Sequence, residues 1–249
     1  MRVAVAGGTG LTGRHVVTAL TAAGHQPVVL ARSRGVDLVT GVGVTKAMDG
    51  VEAVIDVTNR LTARRASSIA FFEAAGRHLL AAEEQAGVRH HVALSIVGID
   101  RVDLGYYAGK RRQEELVRAG GVPWTVLRAT QFHEFTEQFL RPGLPVTMVP
   151  RMLSQPVAVR EVADALVALV EGPPQAMAPE LAGPGPEQMV DAVRRLARAR
   201  GRRCRVLPLT MPGAAGRAAA GGGLLPAEPG PRGAQTFEQW LTERAGGRS

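Results

Sequence analysis

The sequence of 249 residues predicts an α/β fold, with a doubly wound parallel sheet and a small C-terminal substrate-binding portion. Short apolar, β-branched runs alternate with segments of helical spacing over residues 2–129, which is the pattern of successive βαβ units. A glycine-rich turn also separates the first predicted strand from the first predicted helix. These two observations together favour helices packed on a parallel sheet.

The elements of the predicted core follow one another regularly. Helices are expected at 11–24, 67–85 and 106–119, and the first two end near Gly24 and Gly87. Because right-handed crossovers join parallel strands, this rhythm predicts a core over residues 1–140. Strands are expected at 2–6, 26–31, 51–57, 89–96 and 123–129, with a weaker one at 37–40.

Beyond residue 140 the rhythm is less regular. Prolines predict a loop region over 142–156, and the Gly-, Ala- and Pro-rich stretch 213–235 predicts a loop or lid. We expect residues 141–249 to form a smaller substrate-binding or lid portion that is a single integrated unit with the core. Its predicted elements are helices at 160–171, 187–200 and 237–244 and a late strand at 203–209.

The composition argues against several protein classes. The single cysteine, Cys204, forms neither an internal disulfide nor a cysteine-based zinc site. No window approaches the ~20 apolar residues that cross a bilayer, and the first ten residues lack a signal-peptide apolar stretch. We therefore expect a cytoplasmic protein with no bound metal and no membrane partner.

The charge is basic, with 30 Lys and Arg against 22 Asp and Glu, and only Lys46 and Lys110 are lysines. Such a charge can attract nucleic acid, a membrane surface or a phosphorylated small molecule, but we attribute most of it to a GC-rich genome, which favours arginine codons. The arginines at 194–205 have no aromatic residues among them, so a solvated face is favoured and no nucleic-acid partner is expected. Against this background a retained lysine is informative.

The glycine-rich turn has the sequence GGTGLTG and satisfies both GxxGxxG and GxGxxG. Glycine permits a tight turn and a close approach of backbone N–H groups to a pyrophosphate, and the helix N-terminus adds partial positive charge. An ordinary flexible turn is the weaker alternative, since a strand precedes the motif and a helix follows it. The predicted dinucleotide contacts are Gly7, Gly8, Thr9, Gly10, Leu11, Thr12 and Gly13.

The end of the second strand predicts which dinucleotide is preferred. Proteins that prefer NAD usually carry an acidic residue about 20 positions beyond the motif. This chain has Arg32 and Ser33 there, which suit a ribose 2′-phosphate, although Arg32 is also one arginine among many. We expect NADP(H) to be preferred over NAD(H), and we interpret the late Asp37 as a turn or strand-edge residue.

A serine, a tyrosine and a lysine have the spacing of a catalytic group. Tyr106 and Lys110 are four apart on a predicted helix, where the ammonium would lower the phenol pKa, and Ser95 ends the preceding strand. The spacing alone also fits a surface coincidence. Both tyrosines and one of the two lysines occur here, which favours catalysis; Tyr107 is the rival acid, and Tyr106 has the better register.

These features together resemble the short-chain dehydrogenase/reductase superfamily, and more closely its atypical NmrA-like NAD(P)H-binding branch. The segment LRATQF at 127–132 is part of the resemblance. It implies a Rossmann-type core, Tyr106 as catalytic acid, Lys110 at the nicotinamide ribose and Ser95 at the substrate carbonyl. The helix asparagine of typical members has no counterpart. The resemblance implies further cofactor contacts at Val57, Thr58, Asn59, Ala129 and Thr130.

The residues after the last core strand are expected to contact substrate: Gln131, Phe132, His133 and Phe135. Core packing is an equal alternative for the phenylalanines. We expect NAD(P)H-dependent reduction of a carbonyl or quinone in an aromatic small molecule, within bacterial aromatic polyketide metabolism, including support of a hydroxylation step. The alternatives are a non-catalytic dinucleotide sensor and an NAD-dependent epimerase or dehydratase. The sequence indicates no oligomeric state.

Overall fold

The computed structural model describes residues 1–246, and ten strands and eight α-helices are assigned within them. The strands are β1 (Arg2–Ala6), β2 (Gln26–Leu30), β3 (Ala53–Asp56), β4 (His90–Ile96), β5 (Trp124–Ala129), β6 (Val146–Pro150), β7 (Leu153–Ser154), β8 (Ala176–Met177), β9 (Glu187–Gln188) and β10 (Arg205–Leu209). The helices are α1 (Leu11–Ala22), α2 (Val44–Ala47), α3 (Arg65–Ala86), α4 (Gly105–Ala119), α5 (Val159–Glu171), α6 (Met189–Ala199), α7 (Gly213–Ala220) and α8 (Phe237–Gly246).

Six strands form the central sheet in the order β2-β1-β3-β4-β5-β8. β1 pairs in parallel with both β2 and β3, β3 with β4, and β5 with β8. The predicted doubly wound α/β fold is therefore confirmed. Since the strand order reverses at β1, the carboxyl ends of β1 and β3 form the edge at which such sheets bind ligands.

The apolar strands explain why the sheet lies in the core. Residues 3–6 of β1 are fully buried, as expected for a parallel strand that is covered on both faces. α3 ends where Gly87 adopts φ +70°, a left-handed conformation that glycine takes without steric cost. These local features set the ends of the elements that carry the site.

The chain divides into two compact units, each assembled from separate segments. Unit 1 comprises Met1–Ile96, Leu104–Arg128 and Arg160–Pro179, and it contains the glycine-rich turn, α3 and α4. Unit 2 comprises Val97–Asp103, Ala129–Val159 and Glu180–Ser249, with β6 and β10 paired in parallel and β7 and β9 antiparallel. The segments of the two units alternate along the chain. The predicted division into a core over residues 1–140 and a smaller portion over 141–249 stays a prediction.

The prediction of a weak strand at 37–40 is wrong. This stretch is a turn, in which the Asp37 carboxylate accepts a hydrogen bond from the Val39 N–H at 2.8 Å. A short acidic side chain that bonds its own backbone two residues on competes with strand pairing. The interpretation of Asp37 as a turn residue therefore agrees with the structure.

Two stretches expected to be loops contain regular structure. The proline-rich region holds β6 and β7, and the expected lid begins with helix α7. Alanine is the strongest helix former, and five of the eight α7 residues are alanine. Gly216 within it lets the Met211 carbonyl approach, since a Cβ there would lie 2.0 Å from that oxygen.

Candidate functional site

The glycine-rich turn forms a cradle between β1 and α1. A Cβ at position 13 would lie 2.2 Å from the Gly7 carbonyl oxygen and 2.5 Å from the Gly8 Cα, so only glycine fits. Gly7 itself has φ +80°. Gly10 caps α1 and makes no side-chain hydrogen bond to the first turn. The backbone N–H groups of that turn are therefore available to bind an anion. The turn thus fits the pyrophosphate of a dinucleotide.

The loop after β3 lies directly against this cradle. A Cβ at Gly7 would be 3.0 Å from the Val57 carbonyl oxygen and 3.1 Å from the Thr58 Cα. The buried Asp56 carboxylate accepts a hydrogen bond from the Thr58 N–H at 2.9 Å and so fixes the loop. The contact joins the ends of β1 and β3, where the cofactor contacts of Val57, Thr58 and Asn59 are predicted.

The expected 2′-phosphate residues lie in a one-turn 3₁₀ helix, Arg32–Arg34, immediately after β2. Arg32 and Ser33 are exposed there. The end of β2 adjoins the glycine-rich turn, since the Gly7 N–H donates to the Leu30 carbonyl at 3.2 Å. The Asp37 carboxylate is engaged in its own turn. The exposed Arg32 and Ser33 therefore lie at the same edge of unit 1 as the glycine-rich turn, which is where a 2′-phosphate contact is predicted.

The Tyr106 hydroxyl donates a hydrogen bond to the Asn59 side-chain oxygen at 2.7 Å. Burial, together with neighbouring Tyr107, raises the Tyr106 pKa above its ordinary value of 10.0. The expectation that Lys110 lowers this pKa is wrong, because loss of solvation is the dominant influence. Tyr106 therefore stays protonated at neutral pH and is able to donate a proton.

Lys110 is buried, with 3% of its surface exposed. Its Nζ donates to the Leu94 carbonyl at 2.6 Å and to the Gln113 Oε1 at 2.5 Å, and it lies 5.0 Å from the centre of the Phe72 ring. Burial lowers its pKa to about 8, against the opposing pull of the Asp56 and Glu114 carboxylates. These hydrogen bonds are to the protein itself, and the contact with a nicotinamide ribose stays a prediction.

Sequence reasoning missed the polar groups that hold α4 in place. The Gln113 Nε2 donates to the Asp56 Oδ2 at 2.6 Å, which links Lys110 to the end of β3. Arg128 makes two hydrogen bonds to the buried Glu114, at 2.9 and 2.8 Å, which tie α4 to β5. The available signal was the spacing of Gln113 and Glu114, three and four residues after Lys110 and so on the same face of the helix.

Ser95 lies near the end of β4 with 2% of its surface exposed. Its Oγ has no hydrogen-bond partner among the described residues. A buried hydroxyl that lacks a protein partner is costly, and such groups in native structures usually bind a ligand or an ordered water. This is compatible with the predicted contact to a substrate carbonyl.

The segment Ala129–Phe132 belongs to unit 2 and is held by backbone pairing. The Thr130 N–H donates to the Leu181 carbonyl at 3.0 Å, and the Gln131 carbonyl accepts from the Val157 N–H at 3.0 Å. The Thr130 hydroxyl donates to the Gln155 carbonyl at 2.5 Å. Ala129 and Thr130 therefore lie in a buried stretch that is fixed by hydrogen bonds, and their contact with a cofactor stays a prediction.

The predicted substrate residues differ in their surroundings within unit 2. His133 is 1% exposed, with ring contacts to Phe237 and Trp240 at 5.7 and 5.8 Å, as in a packed core. Phe135 is half-buried and packs edge-on against Phe139. Phe132 is also half-buried. Substrate contacts by Gln131, Phe132, His133 and Phe135 stay predictions.

Several arginines of the basic segment around α6 form ion pairs. Arg194 pairs with Asp191 at 3.0 Å, and Arg195 pairs with Glu238 at 2.7 Å. Arg200 pairs with Glu137. These contacts offset part of the local positive charge. Within residues 1–246, no three metal-ligating side chains converge, and no helix is long and apolar enough to cross a bilayer.

The sheet and its glycine cradle define a dinucleotide-binding α/β protein. Residues 7–173 match a family model described as NAD(P)H-binding, so the chain belongs to this family. The match confirms the predicted NAD(P)H-binding family, and the solved structures below share its fold.

A curated relative is the (4-alkanoyl-5-oxo-2,5-dihydrofuran-3-yl)methyl phosphate reductase of Streptomyces griseus, 33% identical over 189 residues. The match covers 68% of this chain and 63% of that protein.

Two solved structures have the same fold. An NADPH-dependent quinone oxidoreductase from Escherichia coli, complexed with NADPH, gives a TM-score of 0.73 at 18% identity, covering 97% of this chain and 99% of that chain. A short-chain dehydrogenase/reductase superfamily protein from Agrobacterium tumefaciens, with bound NAD, gives 0.71 at 19% identity, covering 100% and 97%. At this identity the likeness shows the fold alone.

Proposed function

We propose that this chain is an NAD(P)H-dependent reductase of a small-molecule carbonyl or quinone, with Tyr106 as the proton donor. The observation that carries the proposal is the hydrogen bond from Tyr106 to Asn59. Asn59 follows Thr58, which lies against Gly7 of the glycine cradle. A protonated phenol therefore lies at the same sheet edge as the dinucleotide turn, within unit 1.

The chemistry assigned to the chain is proton donation and orientation. A bound reduced nicotinamide supplies the hydride that such a reduction needs. The Tyr106 hydroxyl donates the proton to the substrate oxygen, so a ketone becomes an alcohol and a quinone becomes a hydroquinone. Ser95 offers a second hydroxyl to that oxygen, and its unpartnered Oγ supports this role.

We propose NADP(H) as the preferred cofactor. Arg32 and Ser33 are exposed at the end of β2, and Asp37 is engaged in its own turn. A guanidinium forms two parallel hydrogen bonds to a phosphate, whereas a carboxylate would repel it.

The substrate class has two supported candidates. The first is an aromatic or quinonoid ring, the class expected from the sequence, which covers a role in aromatic polyketide metabolism or in supporting a hydroxylation step. The Streptomyces griseus relative is instead named for a dihydrofuranone methyl phosphate. Substrates of both classes carry a carbonyl oxygen, so the proton donor proposed here suits either class.

The test is consumption of NADPH with three substrates: a naphthoquinone, an aromatic ketone and a 4-alkanoyl dihydrofuranone methyl phosphate. We expect turnover with at least one, lost in Tyr106→Phe while NADPH binding persists. Tyr107→Phe is the matched control and is expected to stay active. Tight NADPH binding without turnover would support the sensor, and product formation from a sugar nucleotide without net cofactor consumption would support the epimerase or dehydratase.

A further inference from the structure

The contact between Asn59 and Tyr106 supports a second conclusion, which rests on the proposed function. We propose that Asn59 is the positioning residue of Tyr106, and that its amide oxygen holds the phenol hydroxyl until a substrate oxygen replaces it. Asn59 is the only asparagine of the chain and is exposed. Its side-chain oxygen lies 2.7 Å from the Tyr106 hydroxyl.

The backbone next to Asn59 is rigid. The preceding residue, Thr58, donates its N–H to the buried Asp56 carboxylate, and Asp56 also accepts from Gln113 at 2.6 Å. Gly7 also packs closely against Thr58, since a Cβ on Gly7 would lie 3.1 Å from the Thr58 Cα. The amide therefore extends from a fixed point of the β3 loop and defines a position for the hydroxyl.

The ring of Tyr106 is held from the helix side. The Tyr106 carbonyl accepts a hydrogen bond from the Ser68 Oγ at 3.0 Å, and the Phe72 ring centre lies 6.2 Å from that of Tyr106. A Cβ at Gly109 would lie 2.2 Å from the Ser68 Oγ, so α3 packs closely against α4 at this residue. With the ring packed, the direction of the O–H bond is the freedom that remains, and the amide oxygen sets it.

The exchange of one acceptor for another suits a proton donor. The amide oxygen accepts a hydrogen bond but does not take the proton at neutral pH, so the phenol remains in its donating form. When a substrate oxygen replaces the amide, one hydrogen bond is lost and another is made, which keeps the cost small. The raised pKa of Tyr106 supports this, since the phenol holds its proton until charge develops on the substrate.

The first measurement concerns the hydrogen bond and needs no substrate. In a Tyr107→Phe background, Tyr106 is the sole tyrosine, and its Raman Fermi doublet reports whether the phenol donates a strong hydrogen bond. We expect a donor pattern in the parent, its loss in Asn59→Leu and its retention in Asn59→Asp, whose carboxylate still accepts. Gln85→Leu, an exposed amide on α3, is the matched control.

The second measurement is kinetic. We expect Asn59→Leu to lower kcat about tenfold, a larger effect than any rise in the KM for NADPH from loss of its predicted cofactor contact, and Asn59→Asp to recover most of the rate. An unchanged Raman pattern in Asn59→Leu overturns the positioning role while reductase activity stands. The positioning role is also overturned if the only defect of Asn59→Leu is a raised KM for NADPH. If the parent itself does not consume NADPH, the proposed function fails, and the role of Asn59 in it fails too.

Discussion

The ammonium of Lys110 donates a hydrogen bond to the carbonyl of Leu94, 2.6 Å away, and thereby fastens α4 to the end of β4. Leu94 immediately precedes Ser95, and Tyr106 lies one turn before Lys110. The lysine thus fixes the elements that carry both hydroxyls of the proposed site. A buried cation satisfied by carbonyl oxygens is a structural support as well as a candidate cofactor contact.

The protonation of Lys110 predicts a pH dependence of stability. Its pKa falls from an ordinary 10.5 to about 8 on burial. Between these values the unfolded chain holds a proton that the folded protein lacks, so the free energy of unfolding rises with pH across this window. The shift corresponds to about 3 kcal/mol.

Chemical denaturation between pH 8 and 10.5 measures this contribution as the difference between the wild type and Lys110→Met. Lys46→Met, at an exposed position of α2, is the matched control. A difference curve that is flat over this window would contradict the prediction.

The glycine cradle predicts a defect in Gly13→Ala. The added Cβ meets backbone atoms of Gly7 and Gly8 at 2.2 and 2.5 Å, so α1 must move. We expect a loss of about 1–3 kcal/mol in stability and at least about a tenfold weaker affinity for NADPH. Gly185→Ala meets nothing within 4 Å and is the control. Calorimetric titration with NADPH gives the affinity, and wild-type binding by Gly13→Ala would refute the cradle.

The proposed cofactor preference predicts the effect of Arg32→Glu. A carboxylate in place of the guanidinium loses a charge-assisted contact to the 2′-phosphate and adds repulsion. We expect NADPH affinity to fall about tenfold or more, while NADH affinity changes little. Arg89→Glu makes the same charge change at the amino end of β4, the opposite edge of the sheet from the glycine cradle. Equal losses for both cofactors would argue against a 2′-phosphate role for Arg32.

The buried pair of Glu83 and His91 predicts a large stability effect. The His91 Nδ1 lies 2.9 Å from both carboxylate oxygens, and both side chains are almost fully buried. Removing the carboxylate in Glu83→Ala leaves the histidine without this partner, at an expected cost of about 3–5 kcal/mol. Arg77→Ala, which breaks an exposed pair with Glu73, should cost less than about 1 kcal/mol. Urea denaturation compares the two, and similar losses would contradict the argument.

The local patterns were sufficient to predict most of unit 1. The strands β1 to β5 and the helices α1, α3 and α4 were expected close to their observed bounds, because each has an apolar period that matches its geometry. β6 was not expected, since Pro145 and Pro150 suggest a loop. Its pairing with β10, nearly sixty residues later, depends on tertiary contact.

The identity of the candidate site residues could be predicted from the sequence, whereas most of their contacts could not. Tyr106, Lys110 and Ser95 were singled out by spacing and rarity, but the sign of the Tyr106 pKa shift depends on burial, which spacing does not reveal. The partner of Tyr106, Asn59, is forty-seven residues away in sequence. Only the crossing of α3 and the position of the β3 loop bring the two together.

The segmented construction of unit 1 has a consequence for biosynthesis. The last strand of the central sheet, β8, pairs with β5 after about fifty intervening residues, most of which belong to unit 2. During translation β5 therefore emerges from the ribosome well before its outer neighbour, and its edge stays unpaired while Ala129–Val159 is being synthesised. The order of synthesis thus differs from the order of assembly, and a nascent chain halted near residue 140 would present an open, aggregation-prone sheet edge.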